Sequence, residues 1–144
     1  MGEHCVDVAG VGGSIPPAPI CWGKIMEVIK YHKAESYEPE KNWKRVSLCN
    51  QKDISIEYFI KPPKHSSPKH KHPNAQVLIV LEGKLAVWTE KDGEVILDKY
   101  DTVYIEGDEE HIVTNPLDEP SVGIDIFVPG RSFDFWLKRK ELLK

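Results

Sequence analysis

Three histidines and one carboxamide carry the densest chemistry in this chain. His70, His72 and Gln76 lie in the string H-K-H-P-N-A-Q-V-L-I-V-L-E-G, residues 70–83, and His111 opens H-I-V-T-N at 111–115. A neutral imidazole donates one nitrogen lone pair. Three of them form a stable set for one divalent transition ion such as Fe, Mn, Ni, Co, Cu or Zn. Gln76 would add a carbonyl oxygen. Because that donor is neutral, the full +2 charge stays on the ion, which favours Lewis-acid work over redox cycling. His70 and His72 are two apart and point to the same face of an extended chain. Gln76, Leu78 and Val80 share one face of the following strand, and His111 belongs to a later β-rich run. A site assembled from three strands needs a barrel or sandwich interior on which to converge.

The strands that must do this positioning are legible. Candidates are 24–30, 44–48, 54–61, 75–81, 84–89, 94–97, 102–106, 111–114 and 122–128. Turn-like separators stand between them: Pro62-Pro63, Pro73-Asn74, Glu82-Gly83, Asp92-Gly93, Gly107-Asp108 and Asn115-Pro116. Lys91-Asp92-Gly93-Glu94 between two apolar runs signals a hairpin. Many short strands with tight turns point to an all-β barrel or sandwich. Residues 9–19 are rich in Gly and Pro and sustain neither helix nor interior strand. Residues 1–22 therefore read as a flexible leader and 23–144 as the folded domain. The tail, 132–144, reads as a short helix with Ser132 as N-cap. Phe133, Trp136 and Leu137 would lie against the barrel or a second subunit.

Composition bounds the rest. A chain of 144 residues fits one domain with a real core. A net charge of −4 gives no global reason to expect nucleic acid. Cys5, Cys21 and Cys49 are odd in number and form neither a zinc pattern nor a disulfide framework, so a reducing cytoplasm is the expected setting. No apolar run approaches the roughly 20 residues of a membrane span, and the N-terminus lacks the basic region of a signal peptide.

The spacing H-x-H-x3-Q-x6-G followed by H-x3-N resembles the two signature motifs of the cupin superfamily. The usual first motif has Glu at the Gln76 position. The second normally opens Gly-Asp and carries a Pro and a Gly before its His, where this chain has Tyr100-Asp101, Glu106 and Asp108. The resemblance runs over most of residues 44–130 and implies a single-domain jelly-roll β-barrel with a short C-terminal helix. It also implies one bound divalent metal held by His70, His72, Gln76 and His111, and, by analogy, a homodimer. His65 lies off the alternation and reads as part of a solvated Lys/His-rich loop. Lys64, Lys69 and Lys71 rim that loop, either drawing an anionic substrate to the mouth or simply solvated.

Residues 123–131 read G-I-D-I-F-V-P-G-R. Asp125 and Phe127 share one strand face, and a carboxylate inside an apolar barrel needs a partner or a function. The string D-x-F-x-P-x-R, with H-x-H-P-x-x-Q before it, is similar to a narrower group. These are the small cupins of pectin and alginate breakdown that open 4,5-unsaturated monouronates to linear ketouronates. That resemblance makes Asp125 the proton-transfer residue, and Arg131 and Phe127 the substrate-binding ones. The bland alternative has Asp125 salt-bridged to Arg131 or Arg139 and Phe127 as plain core. The expected function is a metal-dependent isomerase, tautomerase or lyase acting on a small anionic oxygenated substrate. A cupin dioxygenase and a non-catalytic sugar- or metabolite-binding cupin are the rivals.

Overall fold

The alternation of buried and exposed residues along β5 (Ser55–Lys61) and β6 (Ala75–Glu82) sets the architecture. Every second side chain of each strand faces one interior, as a period-2 pattern requires. The computed structural model describes residues 4–6, 20–22 and 26–142, with side chains placed over 26–138. The remaining strands are β1 (His4–Val6), β2 (Ile20–Trp22), β3 (Ser36–Glu40), β4 (Trp43–Asn50), β7 (Leu85–Thr89), β8 (Gly93–Leu97), β9 (Thr102–Ile105), β10 (His111–Thr114) and β11 (Ser121–Val128). Helix α1 covers Asp134–Leu142. A six-stranded antiparallel sheet in the order β3-β4-β5-β11-β6-β9 faces a three-stranded one in the order β10-β7-β8. Between them lies a core of Phe59, Leu78, Val80, Leu85, Val87, Leu97, Ile105 and Val113. Strands β1 and β2 form a separate antiparallel ribbon. The rest of the expected leader lies outside the described residues.

Close backbone packing enforces two glycines. Gly83 has φ 78°, and a Cβ there would stand 2.5 Å from Ser121 Oγ. Gly123, on the central strand β11, would drive a Cβ to 2.6 Å from the Phe59 ring and 2.9 Å from the Ile79 carbonyl oxygen. The hairpin read at 91–94 is the β7–β8 connection, with Gly93 at φ 68° in the left-handed conformation that glycine adopts at little cost.

One expectation is corrected. Residues 26–30 are not a strand. Met26 and Val28 are exposed, a 3₁₀ turn follows at Tyr31–Lys33, and the sheet edge is taken by β3. β3 contains Pro39, which cannot donate to a ladder and so suits an edge strand. The C-terminal helix forms as expected, and Ser132 Oγ accepts from the Asp134 N–H at 3.2 Å. Phe133 and Trp136 pack on Trp43 of the same chain, with Tyr37 against them.

Candidate metal centre

His70 and His111 meet through their backbones before their side chains meet. The His70 N–H donates to the His111 carbonyl at 3.1 Å, and the His111 N–H to the His70 carbonyl at 2.9 Å. This bridge ties the loop ahead of β6 to the start of β10. His72 is held from the other side, where its carbonyl accepts from the Asp108 N–H at 2.7 Å. Asn74 fastens the same loop to the end of β11, donating 2.7 Å to the Pro129 carbonyl.

Tyr100 and Asp108 occupy the two positions where the resembling motif carries glycine. They adopt φ 71° and 64°, the left-handed region that glycine reaches freely. The turns before His111 therefore keep their left-handed backbone without glycine. A non-glycine residue pays a cost of roughly 1–2 kcal/mol for that conformation.

The three imidazoles converge: each of His70, His72 and His111 places a ligand atom within 4.8 Å of the others. Each Nδ1 lies within hydrogen-bond distance of a backbone carbonyl: Pro68 at 2.7 Å, Asn74 at 2.9 Å and Glu109 at 2.8 Å. An Nδ1 that donates leaves Nε2 as the bare lone pair, which is how outer partners set the tautomer of a ligating histidine. Burial, aided by His111, His72 and Arg131 and opposed by the Pro68 hydrogen bond, lowers the His70 pKa to about 4. Burial also lowers that of His72, with Arg131 and His111 adding to the effect. Both rings are thus neutral at neutral pH. His111 is 1% exposed, and its Nε2 has no hydrogen-bond partner among the described residues. A buried ring nitrogen without a proton donor fits a metal ion.

Gln76 sharpens the fit. Its Nε2 donates to Asp125 Oδ1 at 2.7 Å, which turns its Oε1 toward His72 Nε2 at 3.0 Å. With the His72 proton committed to the Asn74 carbonyl, two lone pairs then face each other. A cation beside them removes that repulsion. The donor set of three imidazoles and one amide oxygen suits a divalent transition ion.

Asp125 and Phe127 face inward as read from the strand parity, and both are buried. Among the described residues the ion-pair partner of Asp125 is not Arg131 but Arg45, and the side chain of Arg139 lies outside the described residues. Arg45 on β4 donates to Asp125 Oδ2 at 3.0 Å and to Glu57 Oε1 at 2.5 and 3.0 Å. Glu57 on β5 stands directly across from Asp125 in the β5–β11 register. It also receives Trp136 Nε1 at 2.8 Å and Arg131 Nη2 at 3.4 Å. Burial opposes the charged form of Glu57, and Arg45 and Arg131 more than offset it, so its pKa lies below the usual carboxylate range. Arg131 stacks its guanidinium on Phe127, Phe135 and Trp136 at 4.1, 4.3 and 5.4 Å from the ring centroids. Its buried Nε has no partner among the described residues.

His65 stays apart from this cluster, as expected, but it is not a solvated loop residue. It bonds Glu40 at 2.8 Å and packs on Trp43 with 4.5 Å between centroids. All the candidate site residues except buried His111 line one cavity of about 130 Å³, together with Trp43, Arg45 and Lys61. Sequence reading missed Arg45, Glu57 and Lys61. The signal was available: they hold the same strand parity as Trp43 and Phe59, so they are charged residues at inward positions.

Comparison with known proteins bears on the fold. The family described as Cupin domain matches residues 58–127. An RmlC-like cupin from Shewanella frigidimarina NCIMB 400 is similar at 22% identity and a TM-score of 0.66, over 76% of this chain and 96% of that one. KdgF from Halomonas sp. is similar at 20% identity and a TM-score of 0.67, over 76% of this chain and 98% of that one. An RmlC-like cupin family protein with a double-stranded β-helix fold from Methanocaldococcus jannaschii gives 18% identity and a TM-score of 0.61, over 75% and 94%. No curated protein matches the chain. Identities at this level speak for the fold. Among the described residues, no helix is long and apolar enough to cross a membrane.

Proposed function

We propose that this chain, a cupin by its domain match and its fold, is a metal-dependent enzyme. Its reaction would be non-redox isomerisation, tautomerisation or lyase chemistry on a small anionic oxygenated substrate such as an unsaturated uronate. One observation carries the reading. A buried carboxylate, Asp125, stands in the same cavity as the three-histidine cluster and is linked to it through a single amide, Gln76.

A divalent ion held by His70, His72, His111 and the Gln76 oxygen would supply Lewis acidity toward a carbonyl or hydroxyl oxygen of the substrate. The chain's own residues then divide the work. Asp125 keeps one lone pair free on each oxygen after its bonds to Gln76 and Arg45, and it takes a proton from the substrate and returns it at the neighbouring atom. Arg45 fixes the direction of that carboxylate. Phe127 and the aromatic stack around Arg131 exclude water from one wall, and Arg131 offers its unspent Nε–H to a substrate oxygen. The sequence string D-x-F-x-P-x-R supports these assignments through its likeness to cupins that open unsaturated monouronates.

The test is an ultraviolet assay on metal-loaded protein with a 4,5-unsaturated monouronate, following loss of the conjugated double bond. Wild type is expected to turn over. Asp125→Asn is expected to lose about 10²–10⁴-fold in kcat, the usual worth of general acid–base catalysis, with its metal content unchanged. Absence of turnover by wild type removes the uronate reading. Equal rates for the two proteins remove the proton-transfer role. Oxygen uptake in the same cell would point instead to dioxygenase chemistry.

A further inference from the structure

Lys61 is the last residue of β5 and continues its inward-facing parity after Ser55, Glu57 and Phe59. It is 3% exposed. Lysine is almost never that buried unless its charge is met. Here no described residue meets it. Among the described residues its ammonium makes no hydrogen bond and no ion pair, and its neighbour is the Trp43 ring, 4.9 Å from Nζ to centroid. The backbone of Lys61 is anchored, since its carbonyl accepts from the buried Asn115 amide at 3.1 Å. The side chain therefore starts from a fixed point and lines the same cavity as the histidine cluster.

The other buried charges cancel. Arg45 and Arg131 face Glu57 and Asp125, two positive groups against two negative ones, and all four are joined by ion pairs. Glu40, which also acts on Lys61 electrostatically, is bonded to His65. One positive charge is left over at Lys61. A divalent ion at the three imidazoles and the neutral amide would add to that excess. A low-dielectric cavity with surplus positive charge at two separate places favours a ligand with a carboxylate for one of them and a lone-pair-bearing oxygen for the other.

We propose that Lys61 is the residue that selects a carboxylate-bearing substrate, pairing its ammonium with the carboxylate while an oxygen elsewhere on the same molecule faces the histidine cluster. This deepens the reading above and rests on it for the cavity being the substrate site. It separates the two basic groups of the cavity. Arg131 is engaged by Glu57 and three aromatic rings and contributes a directed donor. Lys61 contributes the uncompensated charge. The lowered pKa of Lys61, brought by burial first and Arg45 second to about 8, still leaves it mostly protonated at neutral pH.

The experiment uses the full chain loaded with metal and two probes of matched ring shape, galacturonate and uncharged galactose, titrated calorimetrically. Wild type is expected to bind galacturonate at least about tenfold more tightly than galactose, the worth of one hydrogen bond to a charged group. Lys61→Met should bind both sugars alike. Lys61→Arg, which keeps the charge, should retain most of the preference and so shows that a loss in the Met variant is not a folding defect. A second readout is thermal: galacturonate should raise the Tm of wild type and not that of Lys61→Met. A Lys61→Met protein that keeps the preference overturns the proposal, and so does a wild type with no preference. Turnover of the unsaturated uronate is followed in parallel. Discrimination through Lys61 without turnover sinks the reaction and keeps the carboxylate site. Turnover with an unchanged KM in Lys61→Met does the reverse.

Discussion

In metal-free protein, buried Lys61 should give wild type a stability that rises with pH, and replacing it by Met should remove that rise. A free lysine titrates at 10.5, and folded Lys61 titrates at about 8 because burial and Arg45 disfavour its charge. Below about 8 the folded and unfolded chains both hold the proton, so this group adds no slope. Between about 8 and 10.5 the unfolded chain holds it and the folded chain does not. Unfolding then takes up a proton, and stability increases with pH. The gap of about 2.5 units at 1.36 kcal/mol each is worth about 3 kcal/mol, or roughly 10 °C in Tm for a chain of this size. The charged and titratable groups facing Lys61 are Arg45, Asp125, Glu40 and His65. As classes, carboxylates and imidazoles titrate below this window and guanidinium above it. Urea unfolding of both proteins from pH 7.5 to 10.5 makes the measurement, and lysines and tyrosines elsewhere cancel in the difference. Lys61→Met is expected to be the more stable protein at pH 7.5, by an amount that shrinks by about 3 kcal/mol as pH reaches 10.5. A gap that stays constant across the window would refute the claim that Lys61 is buried as an unpaired cation.

Two further outcomes test the site and its support. His72→Ala and His111→Ala should each abolish metal loading measured by elemental analysis, while His65→Ala, which removes only the contacts to Glu40 and Trp43, should load as wild type; equal metal in all three would sink the ligand assignment. Glu57→Gln keeps the shape but leaves Arg45 and Arg131 short of a counter-charge, so it should cost about 3–5 kcal/mol, and a melting temperature within a few degrees of wild type would show that the two guanidinium groups find their charge balance elsewhere.

Local pattern determined much of this protein. The strands from 43 onward, the Gly93 hairpin, the C-terminal helix with its Ser132 cap and the inward parity of Gln76, Asp125 and Phe127 were all legible. Each depends on a side-chain period of 2, a turn residue or a cap, and those signals act between residues close in sequence. The histidine pair and the later histidine were visible as a candidate cluster, because a resemblance in spacing already encodes the fold that joins them. The sequence expectation of a strand at 24–30 failed over its described part because β pairing needs a partner, and β3 holds that edge instead.

Only tertiary structure decided who neutralises whom. Arg45 and Asp125 are 80 residues apart, and Glu57 gathers Arg45, Arg131 and Trp136 from three separate elements. Nothing local in the chain chooses Arg45 over Arg131 for Asp125, since a buried charge takes whichever counter-ion the sheet register brings to it. The left-handed turns at Tyr100 and Asp108 are of the same kind, because packing imposes on them a conformation that their own preferences disfavour. Lys61 is the clearest case. Its place in a β strand was predictable, but its want of a counter-charge becomes visible only when every neighbouring acid is seen to be engaged elsewhere.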